Sequence, residues 1–487
     1  MKKPNLVFIL TDDQGAWALG RETPEIITPH LDKLAEEGVC FENFFCASPV
    51  CSPARCSLAT GRLPSAHGVH DWLRGGNVTG SALPEELRPA YGQDTAADYL
   101  SGMPTVYDAL REAGYHMGFV GKWHMGDSLR PREGFDEWTV LLGGGCAYKH
   151  PDISVDGVPQ YRNEYVTDFF TDRAVHFIDN HPDEPFSLHL HYTAPHTPWG
   201  HEHHREDILR LYDDCPFACH PFHPLHPDQV ATCEVGDTEE HRRYLLKGYY
   251  AAITAVDEGV GRVMDALRRN GLDDNTVVVF SGDNGMNLGQ HGVWGKGNGT
   301  YPQNMYDSSV KVPFIVWGPE YVRRGAVVNN LVSHCDVLPT LREFLGQPVH
   351  TAPDDMLPGE SFLDELTKGR GPTERKICIL DEYGPVRMIR TRRWKYVHEG
   401  INGGHQLYDL ESDPGEEINR FGDPGCAEIQ AALSAELESA FRAYTQPPFD
   451  GAKTRPTGSG QMGPIRKEGD DVFHPQVLYF RDCHHGV

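Results

Sequence analysis

Basic side chains are scarce in this 487-residue chain, where 44 Lys and Arg stand against 70 Asp and Glu for a formal charge of −26. That balance excludes a nucleic-acid binder, whose surface must neutralise phosphates. Long polyanions meet the same repulsive field, whereas a small anionic substrate can enter a locally cationic pocket. Long apolar runs are missing too. No segment approaches the roughly 18 residues that a membrane helix needs. The run Asn5-Leu6-Val7-Phe8-Ile9-Leu10-Thr11 is short and leads into Asp12-Asp13 with no small-residue cleavage site. It reads as a buried strand rather than a signal peptide, so a cytoplasmic protein is expected. There is no internal repeat. The 12 cysteines are scattered along a large chain, which predicts reduced thiols and not a disulfide framework.

What is present is apolar enough to fold. The hydrophobic fraction is 39% and the charged fraction 23%, which excludes global disorder. A chain of this length needs neither disulfides nor metal to bury a core. Over roughly the first 350 residues short apolar strands alternate with amphipathic helices, the pattern of a wound α/β sheet. Strands are expected at Leu6 to Leu10, Met117 to Val120, Ser187 to His191, Val277 to Phe280 and Phe314 to Trp317. Helices are expected at Thr28 to Glu37, with Thr28 as cap and Pro29 in the first helical position, and at Val106 to Ala113, Thr167 to Asp179, Glu239 to Arg269 and Val337 to Leu345. A Pro/Gly-rich linker follows Gly346. Beyond it come a meander (Ile377 to Leu380, Val386 to Thr391, Trp394 to Val397, Leu407 to Leu410) and a helix from Ala427 to Tyr444. Two domains are therefore expected, 1–365 and 366–487, with the tail from Pro447 wrapping back over the first.

Two acidic pairs sit where open α/β sheets place ligands, at the C-terminal ends of strands. Asp12 and Asp13 follow the first strand, and Asp283 and Asn284 follow Val277 to Phe280. Three carboxylates and an amide oxygen are a hard donor set, suited to Ca²⁺ or Mg²⁺ and poorly suited to Zn²⁺. Between the pairs lies Cys51-Ser52-Pro53-Ala54-Arg55-Cys56-Ser57-Leu58-Ala59-Thr60-Gly61-Arg62. Pro53 at a helix start puts position 51 at the positive end of a helix, where an acidified thiol and a bound anion are expected. Arg55 lies one turn on and offers a guanidinium fork for an oxyanion.

The Cys51 block, with Thr60-Gly61-Arg62 in register, resembles the signature of type I sulfatases, in which the motif's Cys is oxidised to formylglycine. Further blocks match in the family's order from Asn5 to about Asp409: Lys122-Trp123-His124, Ala194-Pro195-His196-Thr197-Pro198, and Lys296 within His291-Gly292-Val293-Trp294-Gly295-Lys296-Gly297. The resemblance implies an alkaline-phosphatase-like α/β core, with a mostly parallel central sheet flanked by helices and a smaller C-terminal domain of short antiparallel strands and a helix. It implies one divalent cation, usually calcium with magnesium as the alternative, held by Asp12, Asp13, Asp283, Asn284 and the modified residue 51. The two adjacent aspartates are not ranked.

For the reaction, the resemblance implies sulfate-monoester hydrolysis. A hydroxyl of hydrated formylglycine, deprotonated with help from Asp283, attacks sulfur. The cation, Arg55, Lys122 and Lys296 stabilise the equatorial oxygens. His196 or Lys296 protonates the leaving alcohol, and His124 then takes a proton from the remaining hydroxyl, expelling sulfate. Maturation requires a partner, either a formylglycine-generating or an anaerobic sulfatase-maturating enzyme.

The leaving-group side is read from His70-Asp71-Trp72-Leu73-Arg74, which follows the nucleophile helix. Trp72 is placed to stack on a sugar ring while His70, Asp71 and Arg74 bond its hydroxyls, which favours a small sulfated carbohydrate. His291 is expected to orient the metal's surroundings or to touch substrate. His189 and His191, inside a strand, read as core. The Cys/His-rich excursion (Cys215, Cys219, His220, His223, His226, Cys233) lacks a second well-spaced pair to close a zinc site and reads as a loop lining the pocket. Competing readings are an arylsulfatase or a phosphonate monoester or phosphodiester hydrolase of the same superfamily, and a non-catalytic anion-binding protein.

Overall fold

In the computed structural model, described for residues 3–480 apart from 93, 182, 350–354, 370–378, 401–402 and 478, the first apolar run forms strand β1 (Asn5–Thr11). Its side chains alternate between two faces: Val7 and Ile9 join one core, Leu6 and Leu10 another. A strand buried on both faces belongs at the centre of a covered sheet. Nine more strands complete it: β2 (Val39–Phe41), β3 (His116–Gly121), β4 (Glu137–Leu141), β5 (Asp152–Val155), β6 (Val158–Tyr161), β7 (Phe186–His191), β8 (Thr276–Gly282), β9 (Phe314–Trp317) and β10 (Ala326–Val328). The order is β10-β2-β9-β8-β1-β7-β3-β4-β5-β6. The five central strands, β8 to β4 in that order, are parallel. Antiparallel neighbours β9 and β5 flank them.

Helices α1 (Pro29–Glu37), α4 (Val166–Asn180) and α5 (Glu239–Arg269) cover the Val7 face. Helices α2 (Cys51–Thr60), α3 (Val106–Glu112) and α6 (Val337–Phe344) cover the other. Thr28 holds the expected position before α1, but its side chain does not cap the helix. Its hydroxyl instead accepts from the Gly20 amide, and the first-turn amides of His30 and Leu31 donate to Asp257 of α5. A partner far along the chain has taken over the capping role.

The smaller sheet is an antiparallel meander, β11 (Ile379–Tyr383), β12 (Val386–Arg390), β13 (Trp394–His398) and β14 (Gln406–Asp409). The first of these was expected from Ile377, which lies outside the described residues. Helix α7 (Ala427–Ala443) lays Leu433, Leu437 and Phe441, spaced by four, on Ile389, Tyr396 and Leu407. Beyond α7 the chain crosses back: Gln461 exchanges backbone bonds with Trp72 and Arg74. The ten described cysteines are free thiols, and among the described residues no helix is long and apolar enough to cross a membrane.

Candidate active site

The parallel strands end on one edge of the sheet, and their last residues converge there. Asp12 and Asp13 leave β1, Lys122 and His124 leave β3, His196 follows β7, and Asp283 and Asn284 follow β8. Helix α2 aims its N-terminus at the same point. Val50 is its extended N-cap, and Gly61 closes it in the left-handed conformation, φ 69°. All ten of its residues are buried, so the position of Cys51 at the first turn is set by packing on every side.

Asp12, Cys51 and Asp283 bring one ligand atom each to within 4.8 Å of one another. Lys122 Nζ lies 2.5 Å from Asp12 Oδ2, and Lys296 Nζ lies 2.5 Å from Asp13 Oδ1 and 3.3 Å from Cys51 Sγ. Arg55 Nε donates to Asp283 Oδ2 at 2.8 Å and Nη1 to the Lys122 carbonyl at 2.8 Å. Asn284 Nδ2 donates to Asp13 Oδ1 at 2.8 Å. Asp13 and His124 both adopt positive φ, 64° and 52°, a local strain of the kind that reactive sites retain. The set suits a hard cation, since Asp12 Oδ1 and Asn284 Oδ1 are buried without a hydrogen-bond partner.

Charge distribution tunes these groups. Burial alone lifts the Asp12 and Asp13 carboxyls, but Lys122 and Lys296 with His196 outweigh it and hold both below the usual range. Asp283 is raised by burial and by Asp12. Cys51 corrects the expectation of an acidified thiol: burial raises it despite Lys122 and Lys296. Burial and Lys122 push His124 well below the ordinary imidazole value. Its Nε2 sits 3.0 Å from the Leu73 carbonyl, which can only accept, so Nε2 carries the proton. Nδ1, buried and without a partner, keeps its lone pair. Leu73 N in turn donates to Ser52 Oγ at 3.0 Å, which ties the histidine's support to helix α2.

A cavity of about 360 Å³ opens above Cys51, lined among others by Asp13, His124, His196, Lys296, Trp72 and Arg74. Two expected residues thus reach the leaving-group side. The Arg74 guanidinium lies 5.9 Å over the Trp72 ring and donates to the Ser459 carbonyl. Arg55 and Lys122 stay beneath the cavity floor, both fully buried against carboxylates. Arg55 therefore fixes Asp283 instead of presenting its fork to an oxyanion.

Three expected substrate contacts do not hold. His70 is buried, its Nε2 donating to the Phe449 carbonyl at 2.6 Å. Asp71 is buried as well and accepts from Tyr383 Oη (2.5 Å) and from the Trp72, Gly458 and Gly460 amides. Both bind the returning tail, whose Phe449, Gly458 and Gly460 backbone groups hold their side chains away from the cavity. His291 stacks on Tyr306 at 3.8 Å and lines a different cleft beside Asp307 and Glu416. Of the Cys/His-rich excursion, Cys233 reaches the cavity wall, whereas His220 packs on Trp17 and bonds Tyr250.

Two wall elements contribute residues that sequence reasoning did not name. One is the tail, expected to wrap back over the main domain, which reaches the cavity through Gly458, Ser459 and Gln476; nothing local marks these three as site residues. The other is Gly143–Gly145, which carries a signal in hindsight, a glycine run just after β4. A Cβ at Gly144 would fall 2.2 Å from the His124 ring, and Gly145 faces His196. Only glycine lets this loop lie flat on the His124 ring.

Strand-end carboxylates and cations around a helix-start Cys are a set that a hydrolase of anionic esters can use. The sulfatase family model matches residues 4–347, and that of the N-sulphoglucosamine sulphohydrolase C-terminal region matches 289–443. The chain belongs to the sulfatase family and is a hydrolase of sulfate esters. It is 30% identical to the ulvan-active sulfatase of Formosa agariphila, over 89% of this chain and 80% of that one. With the N-acetylglucosamine-6-O-sulfatase of Bacteroides thetaiotaomicron it shares 25% over 91% and 87%. Among solved structures, the putative sulfatase yidJ from Bacteroides fragilis superimposes with a TM-score of 0.75 at 25% identity, over 93% of this chain and 98% of that chain. A phosphonate monoester hydrolase from Silicibacter pomeroyi shares the fold at TM-score 0.68 and 21% identity, over 91% and 96%.

Proposed function

We propose that the chain removes sulfate from a small sulfated carbohydrate, using residue 51 as formylglycine and a single Ca²⁺ held by Asp12, Asp13, Asp283 and Asn284. The observation that carries this reading is the junction of an oxygen-donor set, the Cys51 position and Lys296 at the base of a cavity whose wall holds Trp72 and Arg74. Without an ion, three carboxylates face three cations (Lys122, Lys296, Arg55) at near neutrality. A bound divalent ion supplies the excess positive charge that draws and polarises an anionic ester, and mature residue 51 supplies the attacking hydroxyl.

The chain's own groups do the rest. Lys296 faces both residue 51 and the cavity, so its ammonium meets the sulfuryl oxygens directly. Lys122 and Arg55 act from beneath by holding Asp12 and Asp283 ionised and aimed. His124, neutral with a free Nδ1, is the base that accepts a proton from residue 51 when sulfate leaves. His196 stands on the opposite wall, with Nδ1 turned to the Thr197 carbonyl and Nε2 3.7 Å from Asp13, and donates to the leaving oxygen. A formylglycine-installing enzyme is the required partner. The relative named N-acetylglucosamine-6-O-sulfatase and the aromatic–cation wall together support a carbohydrate leaving group.

The test is a panel of sulfated mono- and disaccharides, beside the sulfate and phosphonate monoesters of one aryl alcohol, given to protein whose residue 51 has been verified as aldehyde by mass spectrometry. Turnover is expected to be fastest on a sulfated sugar. Preference for the phosphonate, or for the aryl sulfate over every sugar, overturns the substrate assignment.

A further inference from the structure

At the opposite edge of the main sheet, where the parallel strands begin, three segments bring their ionisable side chains together. His116 opens β3, Asp136 and Glu137 precede and open β4, His181 ends α4, and Glu184 lies in the turn into β7. His116, His181 and Glu184 each place a ligand atom within 4.8 Å of the others. Three of the separations lie near those of a coordination shell. Glu184 Oε1 is 3.0 Å from His181 Nδ1 and 3.9 Å from His116 Nδ1, and Asp136 Oδ2 is 3.4 Å from His116 Nδ1. Ligand atoms at zinc bond lengths in a tetrahedron stand ~3.3 Å apart.

From this geometry we infer a second metal site, for a transition ion of the Zn²⁺ class, formed by His116, His181 and Glu184 with Asp136 as fourth donor. Two imidazoles and carboxylates favour Zn²⁺ over the Ca²⁺ that the all-oxygen active site would take. The surroundings fit. His181 Nε2 lies 3.0 Å from Glu137 Oε1, so a carboxylate holds the ring from behind and leaves Nδ1 to face the cluster, the arrangement that orients metal-bound histidines. Phe177 packs against both imidazoles, at 5.6 and 4.9 Å, and shields one side. The side chains of His116 and His181 are 21% and 18% exposed and that of Glu184 is 53% exposed, which leaves an entry path. Because the donors come from three separate segments, the ion would clip the end of α4 to the starts of β3 and β4. Its role is stabilisation of the sheet, far from the catalytic edge.

Full-length enzyme is stripped with chelator, returned to Ca²⁺, and titrated with Zn²⁺ by calorimetry and with Co²⁺ by visible absorption. One equivalent of Zn²⁺ is expected, with the intense ligand-field bands of tetrahedral Co²⁺ and a Zn²⁺-dependent rise in Tm. His116→Ala and Glu184→Gln should each abolish the equivalent and the Tm rise while turnover of sulfate ester in Ca²⁺ is unchanged. Glu137→Gln should weaken Zn²⁺ affinity about 10–100-fold. Asp283→Ala, which removes a ligand of the catalytic cation, should retain the Co²⁺ bands. Absence of any Zn²⁺ binding, or Zn²⁺ binding unaltered in both His116→Ala and Glu184→Gln, refutes the site and leaves a hydrogen-bonded histidine–carboxylate cluster.

Discussion

Cys51 and Cys56 differ by one helical turn and by everything else. Cys51 faces Lys296, whereas Cys56 points into the apolar core beside Leu58 and Ala59, where burial raises its thiol far above the ordinary range. Serine at 51 has a single hydroxyl and lacks the partner needed to expel sulfate. Cys51→Ser should therefore stop after at most one turnover, read by burst kinetics and by intact mass of the sulfated protein. Cys56→Ser should keep most of the activity once the aldehyde is present. His124 makes a second prediction at this scale. In the proposed mechanism its free Nδ1 is the base, so His124→Ala should lower kcat about 10²–10⁴-fold and leave the aldehyde content unchanged. A variant with wild-type kcat would remove His124 from the reaction.

Loops that meet strand ends form the walls, and their tolerance follows from what they touch. Gly144→Ala drives a methyl into the His124 ring and should lower kcat more than it changes KM, measured by steady-state kinetics on mature enzyme. The tail depends on Asp71. Removing its carboxylate strands the buried Gly458 and Gly460 amides at about 1–3 kcal/mol for each lost partner. Asp71→Ala should lower Tm and raise KM, because Gly458, Ser459 and Gln476 wall the cavity. The pH dependence has a definite sign. Burial pushes Asp71 up to about 6, against the bonds from Tyr383 and three amides. A raised folded-state value means that the contribution to stability is complete below the unfolded carboxyl value, ~3.9, and is lost as pH rises through about 6. Thermal melts from pH 4 to 7 should show the wild type losing stability relative to Asp71→Asn over that window. Parallel curves would contradict the assignment.

The two sheets are joined by buried charge. Lys395 on β13 has no exposed side-chain surface, and its ammonium meets Asp307 Oδ1 at 2.6 Å, Glu416 Oε1 at 2.5 Å and the Met305 carbonyl at 2.8 Å. Arg390 on β12 adds a second cation to Asp307. Burial lifts Asp307, but Lys395 and Arg390 overcome it and hold its carboxyl far below the usual range. Lys395→Met leaves two carboxylates without their central partner and should cost about 3–5 kcal/mol, the range for breaking a buried pair. Chemical denaturation would measure it. Partial recovery in Lys395→Met/Glu416→Gln is expected, since the two positions share one network.

Local pattern carried most of the architecture. The β1 run, the 31 residues of α5 from Glu239 to Arg269 and the four-residue apolar spacing in α7 all follow from periodicity that the chain displays without a partner. So do the strand-end positions of Asp12, Asp13, Asp283 and Asn284, because a parallel sheet sends every such end to one edge. Short outer strands such as Asp152–Val155 were invisible, since four residues half polar do not separate strand from loop. The fate of His70, Asp71 and His291 was equally hidden. Their sequence neighbours are site residues, but their own partners, Phe449, Gly458 and Tyr306, are brought in only when the tail and the smaller sheet close against the main one. The same holds for Arg55 under the cavity floor and for the histidine pair at the far edge. The sequence alone determined which groups could do the chemistry. The tertiary structure decided which of them face the cavity, because long-range packing, not spacing along the chain, sets where a side chain points.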